Sequence, residues 1–249
     1  MLYNAIVRHN ERGIGMRILA VCAHPDDIEI NCSGTLAKCV KRGDTVITCH
    51  VCNGNLGHEI IMPDELAKIR GAEAKNAGKL AGIEVLCGDF GDMDIYDNNK
   101  EARDRMVDII RYADPDLIIT HTPDDYHADH TAVSRLVFDA SFAATVPHYK
   151  TKVDKVAKLT PLYYMDVSTG VDFNPTEYVD ISDEIDLKLR MVACHESQVV
   201  WLRDHDNVDL IDMVKTCSRV RGYQCGVAYA EGFRQCTAYL RPTTKRLLP

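Results

Sequence analysis

Two short stretches of this sequence hold residue types that do chemistry together. The first, His24-Pro25-Asp26-Asp27, sets two carboxylates side by side with a histidine two and three residues away. Adjacent carboxylates repel each other unless a cation or hydrogen-bond donors offset their charge. A histidine nitrogen among them favours zinc over calcium. Successive residues point in different directions, so one aspartate can ligate a metal while the other faces the metal's open side. Taken alone, Pro-Asp-Asp also suits an ordinary turn. The second stretch, His121-Thr-Pro-Asp-Asp-Tyr-His127-Ala-Asp129-His130, places three histidines and three aspartates within ten residues. In a helix beginning near here, His127 and His130 share a face, about 5–6 Å apart at Cβ. Both can then face one metal, or one can ligate while the other touches a substrate. Asp129 can hold an imidazole in the required tautomer. A solvated acidic loop with incidental histidines is the competing reading, and the independent His24 cluster weakens it.

Together the stretches offer His24, one aspartate and one histidine as ligands, with a fourth position open. That is the pattern of a catalytic zinc, because structural sites are closed by four ligands and are usually rich in cysteine. A spare carboxylate beside a zinc-activated water is a general base for hydrolysis. The residues therefore read as a zinc hydrolase whose substrate is not yet specified.

These residues need elements to position them. Arg17 to Cys22 is a short apolar run that reads as a buried strand, and it ends at the first stretch. A helical pattern over Thr35–Arg42 closes at Gly43-Asp44. Asp44 to Val51 reads as a second strand, ending in the turn-rich Asn53-Gly54-Asn55-Leu56-Gly57. A helix over about 64–80, a short strand Glu84–Leu86, a helix Glu101–Tyr112, a strand Leu117–Thr120 and a helix over 131–144 follow. This alternation predicts an α/β fold: a mostly parallel sheet flanked by helices on both faces. In such sheets the binding site lies beyond the carboxyl ends of the strands, where both stretches fall. Beyond Lys150 come a charged connector (Lys150–Lys158), strands at Leu162–Met165 and Tyr178–Ile181, and Ser182-Asp-Glu as the N-cap region of a further helix. The expectation is one domain over 1–249, with a core of about 16–160 and a C-terminal elaboration over about 161–249.

Composition narrows the function. The chain has 249 residues, 46% hydrophobic and 27% charged, an ordinary globular balance. A net charge of −8 argues against a general nucleic-acid binder. Part of that charge gathers at Asp26, Asp27, Asp124, Asp125 and Asp129. No apolar run approaches the roughly 18 residues of a membrane span. The N-terminal stretch, with Arg8, Glu11 and Arg12, lacks the apolar core of a signal peptide, so the expectation is a soluble, cytoplasmic protein. The ten cysteines sit mostly in apolar runs and read as buried free thiols. Cys49 and Cys52 have CxxC spacing with no second pair, so a cysteine zinc knuckle is not expected.

Ala23-His24-Pro25-Asp26-Asp27-Ile28-Glu29, followed by Ser33-Gly34-Thr35, resembles the AHPDD signature of the PIG-L/LmbE-like zinc deacetylases. His127-Ala128-Asp129-His130 is similar to the family's HxDH motif. Ile69-Arg70-Gly71-Ala72-Glu73 with Ala81-Gly82-Ile83, and His195-Glu196-Ser197-Gln198, resemble two further family segments. The resemblance runs from about Arg17 to Gln198. It implies a Rossmann-like domain that hydrolyses an N-acetyl group, typically on an N-acetylglucosaminyl moiety. It also implies Zn2+, or another divalent transition metal, held by His24, Asp27 and His130. Asp26 would be general base and then acid, and His127 would stabilise the oxyanion, oriented by Asp129. Arg70 would sit near the acyl group or support the pocket. Homo-oligomers, trimers or hexamers, are a weaker implication.

Several alternatives stay in view. Arg70 on an exposed helix face would simply pair with Glu73, and His195 reads as structural. His9, His50, His58, His148 and His205 are given no part in the site. A metal-dependent esterase or phosphodiesterase would call for a second metal or a basic phosphate clamp. A nucleotide-binding module would call for G-x-G-x-x-G after the first strand, where two carboxylates stand instead. The loop Asn53–Glu59 and the segment after Gln198 leave the substrate open.

Overall fold

The computed structural model describes residues 15–96 and 98–249; Arg8, His9, Glu11 and Arg12 lie outside the described residues. The elements run β1 (Arg17–Cys22), α1 (Asp27–Asn31), α2 (Ser33–Arg42), β2 (Thr45–Cys52), α3 (Pro63–Ala81), β3 (Glu84–Phe90), α4 (Lys100–Ala113), β4 (Leu117–Thr120) and α5 (Ala128–Ala143). They continue with β5 (Leu162–Met165), a 3-10 turn at Ser168–Gly170, β6 (Glu177–Asp180), α6 (Ile185–Ala193), α7 (Glu196–Asp206), α8 (Leu210–Cys225) and β7 (Ala230–Gln235).

One seven-stranded sheet has the order β3-β2-β1-β4-β5-β7-β6. The first five strands in that order are parallel, and β7 pairs antiparallel with both β5 and β6. The predicted α/β class and mostly parallel sheet are therefore present. β1 is apolar from Ile18 to Cys22 because both of its faces are covered there. Leu19 and Val21 pack with Met106, Val107 and Ile110 of α4 and Val133, Leu136 and Val137 of α5. Ile18, Ala20 and Cys22 pack on the opposite side with Ile28, Leu36, Ala77, Ile185 and Met191. The C-terminal part continues the same sheet: Ile118, Ile119 and Thr120 of β4 register with Leu162, Tyr163 and Tyr164 of β5.

Three local expectations change. The N-cap of α6, Glu184, falls within the expected Ser182-Asp-Glu region but makes no side-chain cap bond, and the Ser182 hydroxyl donates instead to the Asp180 carboxylate at 2.6 Å. The helix expected over 131–144 starts at Ala128, which puts His127 at its N-cap and Asp129 and His130 in its first turn. All ten cysteines are free, but burial is not uniform: Cys87 and Cys225 are exposed and Cys194 and Cys217 half-buried. Among the described residues, no helix is long and apolar enough to cross a membrane.

Candidate active site

Between β1 and β4 the strand order reverses: β2 and β3 extend the sheet from β1, and β5 extends it from β4. Loops leaving neighbouring strands in opposite directions open a crevice at their carboxyl ends. The β1 loop delivers His24 to Asp27, and the β4 loop delivers His121 to His130. Asp26 stands at the N-cap of α1 with φ 123°, ψ −29°, a conformation that disfavours any residue with a Cβ. Such strain persists where the surroundings enforce it and gathers at functional sites.

Asp27 is the centre of the cluster. Its Oδ2 accepts from the His24 backbone N–H at 2.7 Å and lies 3.5 Å from His24 Nδ1 and 3.3 Å from His121 Nε2. Its Oδ1 lies 3.3 Å from His130 Nε2. Burial works to raise the Asp27 pKa, but the charge and hydrogen bond of His130, with His24, outweigh it and hold the carboxyl well below its usual range. A second carboxylate backs each of two imidazoles: Asp129 Oδ2 lies 3.1 Å from His24 Nε2, and Asp125 Oδ1 lies 3.1 Å from His130 Nδ1. This is how metal-binding histidines are usually fixed in tautomer and orientation. It leaves His24 Nδ1 and His130 Nε2 facing Asp27.

Asp26 has a different environment. Its Oδ2 meets Arg70 Nη2 at 3.1 Å, and the same nitrogen donates to the Pro25 carbonyl at 2.5 Å. Burial raises the Asp26 pKa; Arg70 opposes this and Asp27 adds to it. Arg70 is buried, only 3% exposed, rather than on an open helix face. Glu73 does not pair with it. The Glu73 carboxylate instead accepts from the Ser197 N–H and hydroxyl, both at 2.7 Å. The loop after β2 folds over the guanidinium, and Arg70 Nη1 donates to the Gly54 carbonyl at 3.3 Å. A Cβ on Gly54 or Gly57 would fall 2.7 Å from Arg70 atoms and push on the guanidinium, and Gly54, with φ +78°, requires glycine besides. Asp92 pins this loop by accepting from the N–H groups of Gly54 and Leu56 at 2.9 and 3.0 Å.

The expected orientation of His127 by the Asp129 side chain is not what the structure has. The Asp129 carboxylate is engaged by His24 and by the Met93 N–H at 3.0 Å. It is the backbone N–H of Asp129 that donates to His127 Nδ1, at 3.1 Å, because His127 caps α5. The His127 proton therefore sits on Nε2. Burial lowers the His127 pKa, with His130 and His24 adding to it, so the ring is a neutral N–H donor. His127 lies 4.9 Å from His24 and 4.7 Å from His130 between ring centroids.

Donor chemistry fits a divalent cation. Burial disfavours charge on His24, yet its hydrogen bonds to Asp129 and Asp27 raise its pKa to about 9. Burial likewise opposes charge on His130, and the Asp27 charge and the Asp125 bond raise it to about 10. The surrounding carboxylates thus demand positive charge at this spot, and a metal meets that demand while displacing protons. Ligand atoms within 4.8 Å of one another occur in His24, His127 and His130, in Asp27, His121 and His130, and in His24, Cys52 and Asp92. His121 is a poor ligand through Nε2, which accepts the Ala23 N–H at 3.0 Å, and burial lowers its pKa to about 4. The Cys52 set is equally engaged: burial pushes the thiol well up, and Asp92 is bound to the loop.

The remaining histidines separate clearly. His195 is fully buried with Nε2 3.2 Å from Glu29 Oε2, and His50 is buried with Nδ1 3.3 Å from the His24 carbonyl. His58 packs at a tilt against Trp201 with ring centroids 4.6 Å apart, while His148 and His205 are exposed. His121 and Asp125 stand in the second stretch of the sequence but carried no assigned role there; Asp92 and Met93 gave no signal.

Residues 19–141 match the PIG-L family, described as GlcNAc-PI de-N-acetylase. A 1D-myo-inositol 2-acetamido-2-deoxy-alpha-D-glucopyranoside deacetylase of Streptomyces scabiei (strain 87.22) is 29% identical over 190 residues, 64% of this chain and 58% of that protein. The chain thus aligns with less than two thirds of that relative's length. An uncharacterized deacetylase of Escherichia coli (strain K12), YaiS, is 30% identical over 138 residues, 52% of this chain and 69% of that protein. Among solved structures, the 4-carboxy-2-hydroxymuconate hydratase GalB from Pseudomonas putida KT2440 superposes with a TM-score of 0.78 at 22% identity, covering 93% of this chain and 100% of that one. At that identity the likeness speaks for the fold alone, and one fold supports several reactions.

Proposed function

The chain belongs to the PIG-L family, and on that premise we propose that it is a metal-dependent hydrolase removing the N-acetyl group of an acetamido sugar. The observation that carries this reading is the opposite treatment of two adjacent aspartates. Asp27 is wrapped by three histidines and held ionised, while Asp26 faces Arg70 with its pKa raised. The first is suited to a ligand and the second to a base. His24, Asp27 and His130 would hold the metal, zinc or a similar divalent ion. When bound, such an ion polarises a carbonyl and acidifies water.

The chain's own groups account for the rest. Asp26 would take the proton of the attacking water and return it to the leaving amine, giving acetate and a free amine. Arg70 keeps that carboxylate in one orientation. His127, with its proton on Nε2 and its ring beside both His24 and His130, donates to the oxygen on which negative charge develops. This differs from the expected scheme only in what orients His127, a backbone N–H rather than a carboxylate. The deacetylase activity of the Streptomyces scabiei relative supports the acetamido-sugar class, and the aligned length leaves the particular sugar conjugate open.

The test is a screen for amine release across N-acetylated monosaccharides, sugar–inositol conjugates and chitooligosaccharides, with metal content measured on the same preparation. About one equivalent of divalent metal, with turnover lost on chelation and restored by zinc, is expected. A metal-free protein with undiminished turnover, or a metal-loaded one that cleaves only esters, refutes the proposal.

A further inference from the structure

The segment His195–Gln198 opens α7 far from the crevice in sequence, yet three of its side chains reach three different elements around Asp26. His195 meets Glu29 of α1, two residues beyond Asp27. Ser197 meets Glu73, one helical turn after Arg70 on α3. Gln198 Nε2 donates to the Gly57 carbonyl at 3.0 Å, on the loop whose Gly54 carbonyl accepts from Arg70. Gly57 is sandwiched: a Cβ there would lie 2.7 Å from Arg70 Nη1 and 3.3 Å from Gln198 Oε1. The next loop residue, His58, packs at a tilt against Trp201, one turn further along α7, and Trp201 also stacks with His205 of the same helix. The loop is therefore gripped from outside by α7 and presses Arg70 from above.

We propose that Gln198 is a positioning residue for the reaction, acting through Gly57 and Arg70 to fix the Asp26 carboxylate. It rests on the deacetylase reading of the site. The Gln198 amide is buried (6% exposed), and its side-chain bond to the Gly57 carbonyl holds the loop. Arg70 Nη2 is held by Asp26 and the Pro25 carbonyl, but its Nε is buried without a partner, so on the loop side the guanidinium is restrained by the Gly54 carbonyl and by packing against Gly54 and Gly57. Small misplacements of a catalytic group far from the mutated residue can cost about 100-fold in rate.

The chain has a single tryptophan, Trp201, which reports loop docking without any activity assay. The experiment compares Gln198→Ala and the isosteric Gln198→Glu, which removes the donor at constant volume, in wild-type and Arg70→Lys backgrounds. Expected in the wild-type background is a fall in kcat of about 10- to 100-fold, with metal content unchanged, KM within about threefold and Trp201 more readily quenched by acrylamide. Expected in the Arg70→Lys background is less than about a threefold further loss, because residues acting as a unit are not additive. Equal losses in both backgrounds, no loss in the first, or unchanged Trp201 quenching overturns the proposal. If the unmodified protein turns over no acetamido sugar, the deacetylase reading fails instead, and quenching alone still decides whether Gln198 docks the loop.

Discussion

Asp26 and Asp27 are neighbours of identical chemistry, so the same substitution at each is a sharp test of the assigned roles. Asp26→Asn keeps an oxygen for Arg70 and removes the base. Arg70 retains the Pro25 and Gly54 carbonyls, so the fold survives at a cost of about 1–3 kcal/mol. Loss of a positioned general base lowers kcat by about 100- to 10,000-fold, or about 3–5 kcal/mol of barrier. Metal content should not change, because Asp26 contacts none of the histidines at ion-pair distance. Asp27→Asn removes the anion that His24, His121 and His130 all face within 3.5 Å. Losing a partner behind a ligand costs about 10- to 100-fold in affinity, and losing the ligand itself should cost more. The assay is elemental analysis after dialysis, then amine release with zinc restored to saturation. Asp26→Asn should hold about one equivalent and turn over slowly; Asp27→Asn should come through dialysis without metal. If Asp26→Asn loses metal as Asp27→Asn does, or keeps its rate within about threefold, the division of labour is wrong.

Other outcomes follow from the same contacts. Asp129→Asn weakens the support behind His24 Nε2 and should reduce zinc affinity about 10- to 100-fold by calorimetric titration; unchanged affinity would show that Asp129 serves only Met93. Gly57→Ala drives a Cβ to 2.7 Å from Arg70 Nη1 and should reduce kcat at full metal content, whereas Gly71→Ala, where a Cβ meets nothing, should be silent. Arg111 is 1% exposed, with its guanidinium bonded to the carbonyls of Ala144, Val146, Tyr149 and Val153 and the Thr151 hydroxyl. Arg111→Met should therefore lower stability by at least about 3 kcal/mol, seen as a fall in Tm of about 6–12 °C. Burial pushes the Cys39 thiol to about 12 and raises Cys22, Cys32, Cys49 and Cys52. Those five and Cys236 are buried, so alkylation of the native protein at pH 8 should be confined to the exposed or half-buried Cys87, Cys194, Cys217 and Cys225, as mapped by mass spectrometry. Rapid labelling of Cys49 would contradict its placement in the core.

The sheet was legible where burial writes itself into the sequence. β1, β4 and β5 have the residue bounds expected from their apolar runs, because central parallel strands are covered on both faces and tolerate little polarity. β3 runs four residues past its expected end, to Phe90: it is an edge strand whose residues alternate between exposed and half-buried, so its apolar signal fades. α7 left no pattern at all. Only Gln198 among its residues is buried, and a helix without an apolar stripe has no period to read. α8 was recoverable in principle, from Asp209, which accepts the Asp212 N–H as an N-cap, and from Gly226 at its end.

The site divides along a similar line. His24, Asp26, Asp27, His127, Asp129 and His130 could be picked out because they lie on two loops that are contiguous in sequence, each with several titratable groups. What holds them comes from elsewhere in the chain and uses backbone as often as side chains. His127 is oriented by a peptide N–H, Asp129 is steadied by the N–H of Met93, and Asp26 turns on a positive φ. Met93 itself has φ +66°, so a residue with a Cβ is held in a strained conformation beside the cluster, as at Asp26. Residue identity does not encode either angle, since glycine would adopt both more readily. The strain is stable only because the Asp129 carboxylate, His24 and α5 fix the other end of each contact. Relaxing one such end should therefore disturb the cluster more than its exposure suggests: Met93 is 55% exposed, yet its peptide N–H is one of the two partners of the carboxylate that orients His24.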